Sequence, residues 1–328
     1  MNKTAKKKDL VVGIDVGGTN LKFGVVNRRG EVLKEIVLPT LGQLGKEAVL
    51  RQIIRGIREI SREIKRDRIL GLGIGIPGLV DSNKGIVYDL TNIPGWKNVP
   101  LKKILEREFK RPVLVDNDVN LMALGEWSVG IARGARNVVC LTLGTGVGGG
   151  LIIEGKLYRG ASLSAGEIGH IPINFKGPRC NCGNNGCLER YIGNKYIVGR
   201  ARGYLKRTKK TILKKWLKEG KALTPELLSK GARVKDKLCL KIWDEVAEYL
   251  AAALSGVVNF INPEKILIGG GVAQAGAVLF KPLGRKVREK AMSIPGRKVK
   301  ILKAGLGEKA GLIGAAMLVF LKETSIYC

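Results

Sequence analysis

Apolar positions along the chain fall into two patterns. Leu10-Val-Val-Gly-Ile14, Ile69 to Ile76, Val113-Leu-Val115, Val138 to Leu143 and Lys265 to Ile268 are almost continuously apolar and end in glycine or polar residues. Short runs of that kind are strands buried on both faces. Leu21 to Val26 alternates apolar and polar residues, and a further strand is expected over Val32 to Leu38. The helical pattern is clearest over 46–66, where Ile53, Ile54, Ile57 and Ile60 share one face. Helices are also expected over 100–110, 119–130, 242–258, 275–291 and 308–322, with a short strand over 299–302. Alternation of strands with helices places the chain in the α/β class.

Two connections depart from strand–helix alternation. The first strand ends at Asp15, and Val16-Gly17-Gly18-Thr19-Asn20 turns straight into the next strand. Gly144-Thr145-Gly146-Val147-Gly148-Gly149-Gly150 does the same between Val138–Leu143 and Leu151–Ile153. A strand, a glycine turn and a strand make a hairpin, not a βαβ unit. Glycine lets backbone amides approach a phosphate without a Cβ in the way. Gly144-x-Gly146-x-x-Gly149 and Gly73-x-Gly75-x-x-Gly78 both fit the dinucleotide fingerprint, but neither opens a helix after a first strand. No Gly-x₄-Gly-Lys-Ser/Thr run exists, so a P-loop is excluded. Asp116-Asn117-Asp118 ends the apolar strand at 113–115, where open α/β sheets bind ligands. Asp and Asn are also favoured N-caps, and capping is the expected role of Asp116.

A chain of 328 residues with 45% hydrophobic content suits two modest domains with proper cores. No apolar run reaches the roughly 18 residues of a membrane span. The first nine residues are basic, and no apolar stretch with a small-residue cleavage site follows them, so a cytoplasmic protein with no membrane partner is expected. The net charge of +30 raises the question of nucleic acid. The basic residues are spread along the chain without aromatic interleaving, and the densest run, Lys206 to Lys221, reads as exposed helix surface. No specific nucleic-acid partner is expected.

The sole histidine, His170, stands ten residues before Cys180, with Cys182 and Cys187 close behind. One imidazole and three thiolates can close a tetrahedral shell, and Cys₃His is a structural zinc set. The glycines and asparagines at 181–186 allow the tight turns of a metal knuckle. Zn²⁺ held by His170, Cys180, Cys182 and Cys187 is therefore expected, with Cys140, Cys239 and Cys328 outside the ligand set. Glu167 and Glu189 flank the cluster without being needed by a filled shell, so the metal would fix where they point.

Glu167-x-x-His170 followed by Cys180-x-Cys182-Gly183-x-x-Gly186-Cys187-x-Glu189 resembles the signature of the ROK family of sugar kinases and sugar-responsive repressors. The resemblance extends along the whole chain. It implies a two-domain actin-like ATPase (ribonuclease H-like) fold that closes over a cleft, with the zinc loop in the larger domain. The implied division is 1–118 plus 306–328 for the smaller domain and 119–305 for the larger. It further implies ATP and Mg²⁺, with Asp15 orienting the magnesium through water. Gly17, Gly18, Thr19, Lys22, Gly144, Thr145 and Gly146 would meet the phosphates, and Gly269, Gly270 and Gly271 would lie under the adenosine. Asn92, Asn117, Glu167, His170 and Glu189 would hold a hexose, and Asp118 would be the catalytic base, itself touching the sugar. Most like this pattern is a glucokinase acting on the 6-hydroxyl. N-acetylmannosamine, N-acetylglucosamine, fructose and allose remain open as substrates. A repressor is less favoured, because only fourteen residues precede Asp15, too few for a helix-turn-helix. A homodimer or higher homo-oligomer is usual in the family.

Overall fold

The computed structural model describes residues 9–90 and 92–323. The basic stretch over 1–9 lies outside the described residues except for Asp9, as does Cys328. Asp9 is not free: its carboxylate pairs with the Arg68 guanidinium at 2.7 Å.

In chain order the elements are β1 (Leu10–Val16), β2 (Asn20–Asn27), β3 (Val32–Pro39), α1 (Lys46–Ser61), β4 (Ile69–Ile76), β5 (Leu79–Asp81), β6 (Ile86–Asp89), β7 (Lys97–Val99), α2 (Leu101–Phe109), β8 (Val113–Asn117) and α3 (Asp118–Ser128). There follow β9 (Val138–Leu143), β10 (Val147–Ile153), β11 (Lys156–Tyr158), α4 (Glu189–Ile192), α5 (Asn194–Arg207), α6 (Ile212–Lys218), α7 (Pro225–Arg233) and α8 (Lys237–Ile261). The chain closes with β12 (Lys265–Gly269), α9 (Ala277–Lys290), α10 (Ser293–Lys298), β13 (Lys300–Lys303) and α11 (Ala310–Glu323).

The chain divides into two compact units. Unit 1 takes the chain up to Gly134, Gly150–Ala165 and the chain from Gly305; unit 2 takes Ala135–Gly149 and Gly166–Ala304. The division differs from the expected break at 118/119, because Leu121 and Leu124 of α3 pack with Ala315 and Leu318 of α11. Unit 1 holds a five-stranded sheet of order β3-β2-β1-β4-β8 and a small sheet of order β5-β6-β7. Strands β1, β4 and β8 run parallel, while β1–β2 and β2–β3 are antiparallel hairpins.

Alternation along β1 decides what covers each face. Leu10, Val12, Ile14 and Val16 join the core formed with Val49, Ile53, Ile57 and Ile60 of α1 and Leu101 and Leu105 of α2. Val11 points the other way, into the core with Leu312, Ile313 and Ala316 of α11. On that second face, glycine replaces side chains where α11 comes closest. A Cβ at Gly13 would run into the Leu312 carbonyl, and one at Gly73 into the Ala315 carbonyl.

In unit 2, β12 lies parallel to β9 on one side and β13 on the other. Helix α8 begins at an Asp236 cap, whose carboxylate accepts from the Cys239 amide, and buries Ile242, Trp243, Val246, Leu250, Leu254 and Val258. It packs against α7 and α9.

Several boundaries differ from the sequence reading for local reasons. Helix α1 ends at Ser61, and residues 66–68 form a separate 3₁₀ turn before β4. Strand β10 starts at Val147, because its glycines enter the ladder and do not loop out. The expected 275–291 helix is broken at Gly276, whose φ of +65° ends a 3₁₀ turn before α9 begins. The β5–β7 sheet has strands of three and four residues, too short for periodicity to reveal.

Two glycine substitutions should move stability in opposite directions. Gly73→Ala forces α11 off the sheet and should destabilise unit 1 by about 1–3 kcal/mol or more, the usual range for overpacking. At exposed Gly203 in α5 an added Cβ meets nothing within 4 Å, so Gly203→Ala should stabilise by about 0.5–1 kcal/mol. Urea titrations of the two variants against the parent check both signs.

Candidate functional site

The residues singled out from sequence divide between the two units. In unit 1 the parallel register aligns Asp15 with Gly75, and Gly75 with Asp116. Asp15, Asn117 and Asp118 therefore leave the same carboxyl edge of the sheet. Asp15 is largely buried, and burial pushes its carboxyl pKa up while the Lys22 ammonium pulls it back. Gly311 in the first turn of α11 faces it; a Cβ there would lie 3.1 Å from the Asp15 carboxyl carbon.

The Gly17 amide donates to the Asn20 carbonyl at 2.9 Å, and the Gly17 carbonyl accepts from the Thr40 hydroxyl at 2.7 Å. Those bonds fix the turn while Gly18 and Thr19 stay exposed at its tip. Lys22 pairs with the Glu308 carboxylate at 2.9 Å.

At the β8–α3 junction the capping residue is Asn117, and the expected capping role of Asp116 is corrected. The Asn117 side-chain oxygen accepts from the amides of Val119 (2.9 Å) and Asn120 (3.3 Å), and its Nδ2 donates to the Gly78 carbonyl at 3.1 Å. Asp118 opens α3 as its first residue, where the helix dipole favours a carboxylate. Asp116 turns inward instead, 2% exposed, and pairs with Arg159. Arg159 was not singled out from the sequence, and a lone arginine after a three-residue strand carries no periodic signal. Asn92 is exposed, next to the buried anchors Ile93 and Trp96.

Unit 2 gathers the remaining residues. Thr142 of β9 pairs with Gly269 of β12, so Gly144–Gly146 and Gly269–Gly271 leave adjacent parallel strands at one edge. Gly270 has φ +83°, and a Cβ on it would run into the Leu143 carbonyl. Glu189, the first residue of α4, reaches back to this edge. Its Oε2 accepts from the Val147 amide at 2.9 Å and would lie 2.6 Å from a Cβ on Gly146. The 166–169 run also packs here: Cβ atoms on Gly149 and Gly169 would strike the carbonyls of Gly166 and Val147. Glu167 is exposed, with its Oε2 3.9 Å from His170 Nε2.

The other ring nitrogen, Nδ1, faces the cysteines, 3.7 Å from Cys180 Sγ. Cys182 and Cys187 bring their sulfurs to 3.6 Å, and all four ligand atoms lie within 4.8 Å of one another. Zinc–sulfur bonds of about 2.3 Å give tetrahedral edges of roughly 3.7 Å, so the cluster fits such an ion. The Asn184 amide lowers the Cys182 thiol to about 7, the form a metal takes up readily, whereas burial pushes Cys187 up to about 12. Gly183 at φ +98° and Gly186 at φ +66° make the two turns of the knuckle. Cys140 and Cys239 are buried apart from it.

The chain matches the ROK family over residues 11–322. It is 38% identical to a glucokinase of Halalkalibacterium halodurans, covering 96% of both chains. It is 37% identical to a glucokinase of Thermotoga maritima, covering 94% of this chain and 96% of that one. Among solved structures it resembles a ROK family glucokinase from Streptomyces griseus in complex with glucose and AMPPNP, with a TM-score of 0.81 and 33% identity over 94% of this chain and 98% of that one. The chain belongs to the ROK family, and its fold is the two-domain actin-like ATPase fold of that family's kinases.

Asp15 should weigh on stability. Its raised pKa means that the fold holds this proton more tightly than the unfolded chain does. The resulting stabilisation is present below the ordinary carboxylate range and lost as pH rises through the raised value. Asp15→Asn should therefore raise Tm relative to the parent at pH 7, with a smaller gain at pH 5. Thermal melts at the two pH values check this, and a lower Tm for the variant at pH 7 would contradict it.

Proposed function

We propose that the chain is an ATP-dependent hexose kinase that phosphorylates glucose at its 6-hydroxyl. The observation that carries this is near full-length similarity to glucokinases in a chain that presents Asp118 beside Asn117 at the carboxyl edge of parallel strands. Phosphoryl transfer asks the protein mainly for alignment and charge neutralisation. Asp118 accepts the proton of the 6-hydroxyl as its oxygen bonds the γ-phosphorus and the bond to the ADP oxygen breaks. Asn92, Asn117, Glu167, His170 and Glu189 hold sugar hydroxyls. Gly17, Gly18, Thr19, Lys22, Gly144, Thr145 and Gly146 serve the phosphates, and Gly269, Gly270 and Gly271 lie under the adenosine. Asp15 would help hold Mg²⁺, and the ion when bound would supply neutralisation of phosphate charge.

His170, Cys180, Cys182 and Cys187 would hold one structural zinc, which would fix the fold of the knuckle. The spacing of their ligand atoms supports that reading, and His170 Nε2 is left to fix the tautomer through Glu167 or a sugar hydroxyl. No described helix is long and apolar enough to cross a membrane; the hexose kinase reading is what places the protein in the cytoplasm. Exposed Phe260, Met292 and Ile294 offer unit 2 an apolar surface for a homo-oligomer. Lys206, Lys209, Lys210, Lys214, Lys215 and Lys218 are exposed around α6, as a solvated surface requires.

Coupled-enzyme assay of the purified protein with ATP and a panel of hexoses tests the activity, with glucose expected as the preferred substrate. Asp118→Asn keeps the shape but cannot accept the proton, so kcat should fall by ~10²–10⁴ with little change in glucose affinity. Near-normal kcat in that variant would place the base elsewhere. Elemental analysis should find one zinc per chain in protein purified without chelator, and Cys182→Ser should lose the metal together with several degrees of Tm. Protein that is active and free of zinc would overturn the metal assignment alone.

A further inference from the structure

Asp116 is 2% exposed, and its partner Arg159 keeps 21% of its side chain in contact with solvent. A carboxylate this buried is costly without a partner. The Arg159 guanidinium meets Asp116 Oδ2 with two donors, Nε at 2.7 Å and Nη2 at 2.6 Å. The opposite oxygen, Oδ1, accepts from the Asn117 amide at 2.8 Å and from Asn120 Nδ2 at 3.0 Å. Asn117 in turn caps α3. The bonds made by this one carboxylate thus reach the residue immediately before Asp118 and a residue in the first helical turn after it.

We infer that Arg159, acting through Asp116, is a positioning residue that sets where Asp118 stands; this rests on the hexose kinase reading. Two donors of the guanidinium fork converge on Oδ2 and hold that oxygen from two directions, which a point charge does not do. With Oδ2 pinned, the carboxyl group keeps Oδ1 in place for the Asn117 amide and the Asn120 side chain. Asp118 hangs from the backbone between those two anchors. A displacement of about 1 Å at a reacting group can cost ~10² in rate.

Arg159→Lys tests the inference, because the ammonium still neutralises Asp116 but loses the fork. With Tm within a few degrees of the parent, kcat should fall about 10–100-fold while the KM for glucose changes less than about 3-fold. The same substitution in an Asp118→Asn background should cost less than about 2-fold more, since no base is left to misplace. Unchanged kcat in Arg159→Lys, or equal losses in both backgrounds, overturns the inference. The double variant Asp116→Asn with Arg159→Met leaves no buried charge unpaired and goes through the same comparisons should the lysine variant fail to fold. If neither variant folds, the pair is a stability element and the positioning role falls. A parent protein without glucose phosphorylation refutes the kinase reading itself, whereas an active parent with an unimpaired lysine variant refutes only the role of Arg159.

Discussion

The last helix of unit 1 lies so close to the first strands that side chains are missing where the two meet. Gly13 and Gly73 give way to the carbonyls of Leu312 and Ala315, and a Cβ on Gly314 would strike the Leu121 carbonyl of α3. Backbone approach of this kind permits dense packing of both surfaces, and α3 and α11 share an apolar seam through Leu121, Leu124, Ala315 and Leu318. The first turn of α11 meets the Asp15 carboxyl group, and the first turn of α3 carries Asp118. The close fit of helix on sheet thereby holds both carboxylates at the carboxyl edge.

Unit 2 solves a related problem with a different device. Its turns at 144–146 and 269–271 are held by short backbone contacts and by one carboxylate, Glu189, on the Val147 amide. Glu189 comes two residues after Cys187, so the knuckle and the glycine turn share a short stretch of rigid chain. Cys187 itself forms an isolated β-bridge with Pro172, and the Leu188 amide donates to the Ile171 carbonyl at 2.9 Å. A structural ion in the knuckle would stiffen the support of the turn without touching anything that binds there.

Charge is treated differently at Asp116 and Asp15, two of the carboxylates of the unit 1 edge. Asp116 is fully buried and is compensated by a two-donor guanidinium and two amide donors. Asp15 is only largely buried and has one cation near it, so burial dominates its pKa. An under-compensated carboxylate at the edge of a sheet is expensive to fold and suited to a passing cation. The large positive charge of the chain, by contrast, rests on exposed lysines and arginines such as those around α6, and it bears on solubility and encounter more than on fold.

The sequence by itself determined much of this. Continuous apolar runs marked β1, β4, β8, β9 and β12, because strands covered on both faces cannot hide their composition. The two glycine hairpins and the histidine–cysteine spacing were legible, because turn geometry and metal ligation demand particular residue types at short range. Fold class followed from those local signals and from the resemblance they carry, and the same signals supply the site residues proposed above. What tertiary structure alone decided involved partners far apart in sequence. Arg159 meets Asp116 across 43 positions, and no local pattern links an isolated arginine to one member of an Asp-Asn-Asp run. The cap fell to Asn117 and not Asp116 because burial under the sheet edge drew Asp116 inward to its cation. Glu189 reached the Val147 amide across 42 positions, by way of a loop whose path depends on how the knuckle packs against β10. The roles of Gly13 and Gly73 were likewise hidden: glycine in a strand reads as weakness until the helix that needs the space, some 300 and 240 residues further on, is folded back against it.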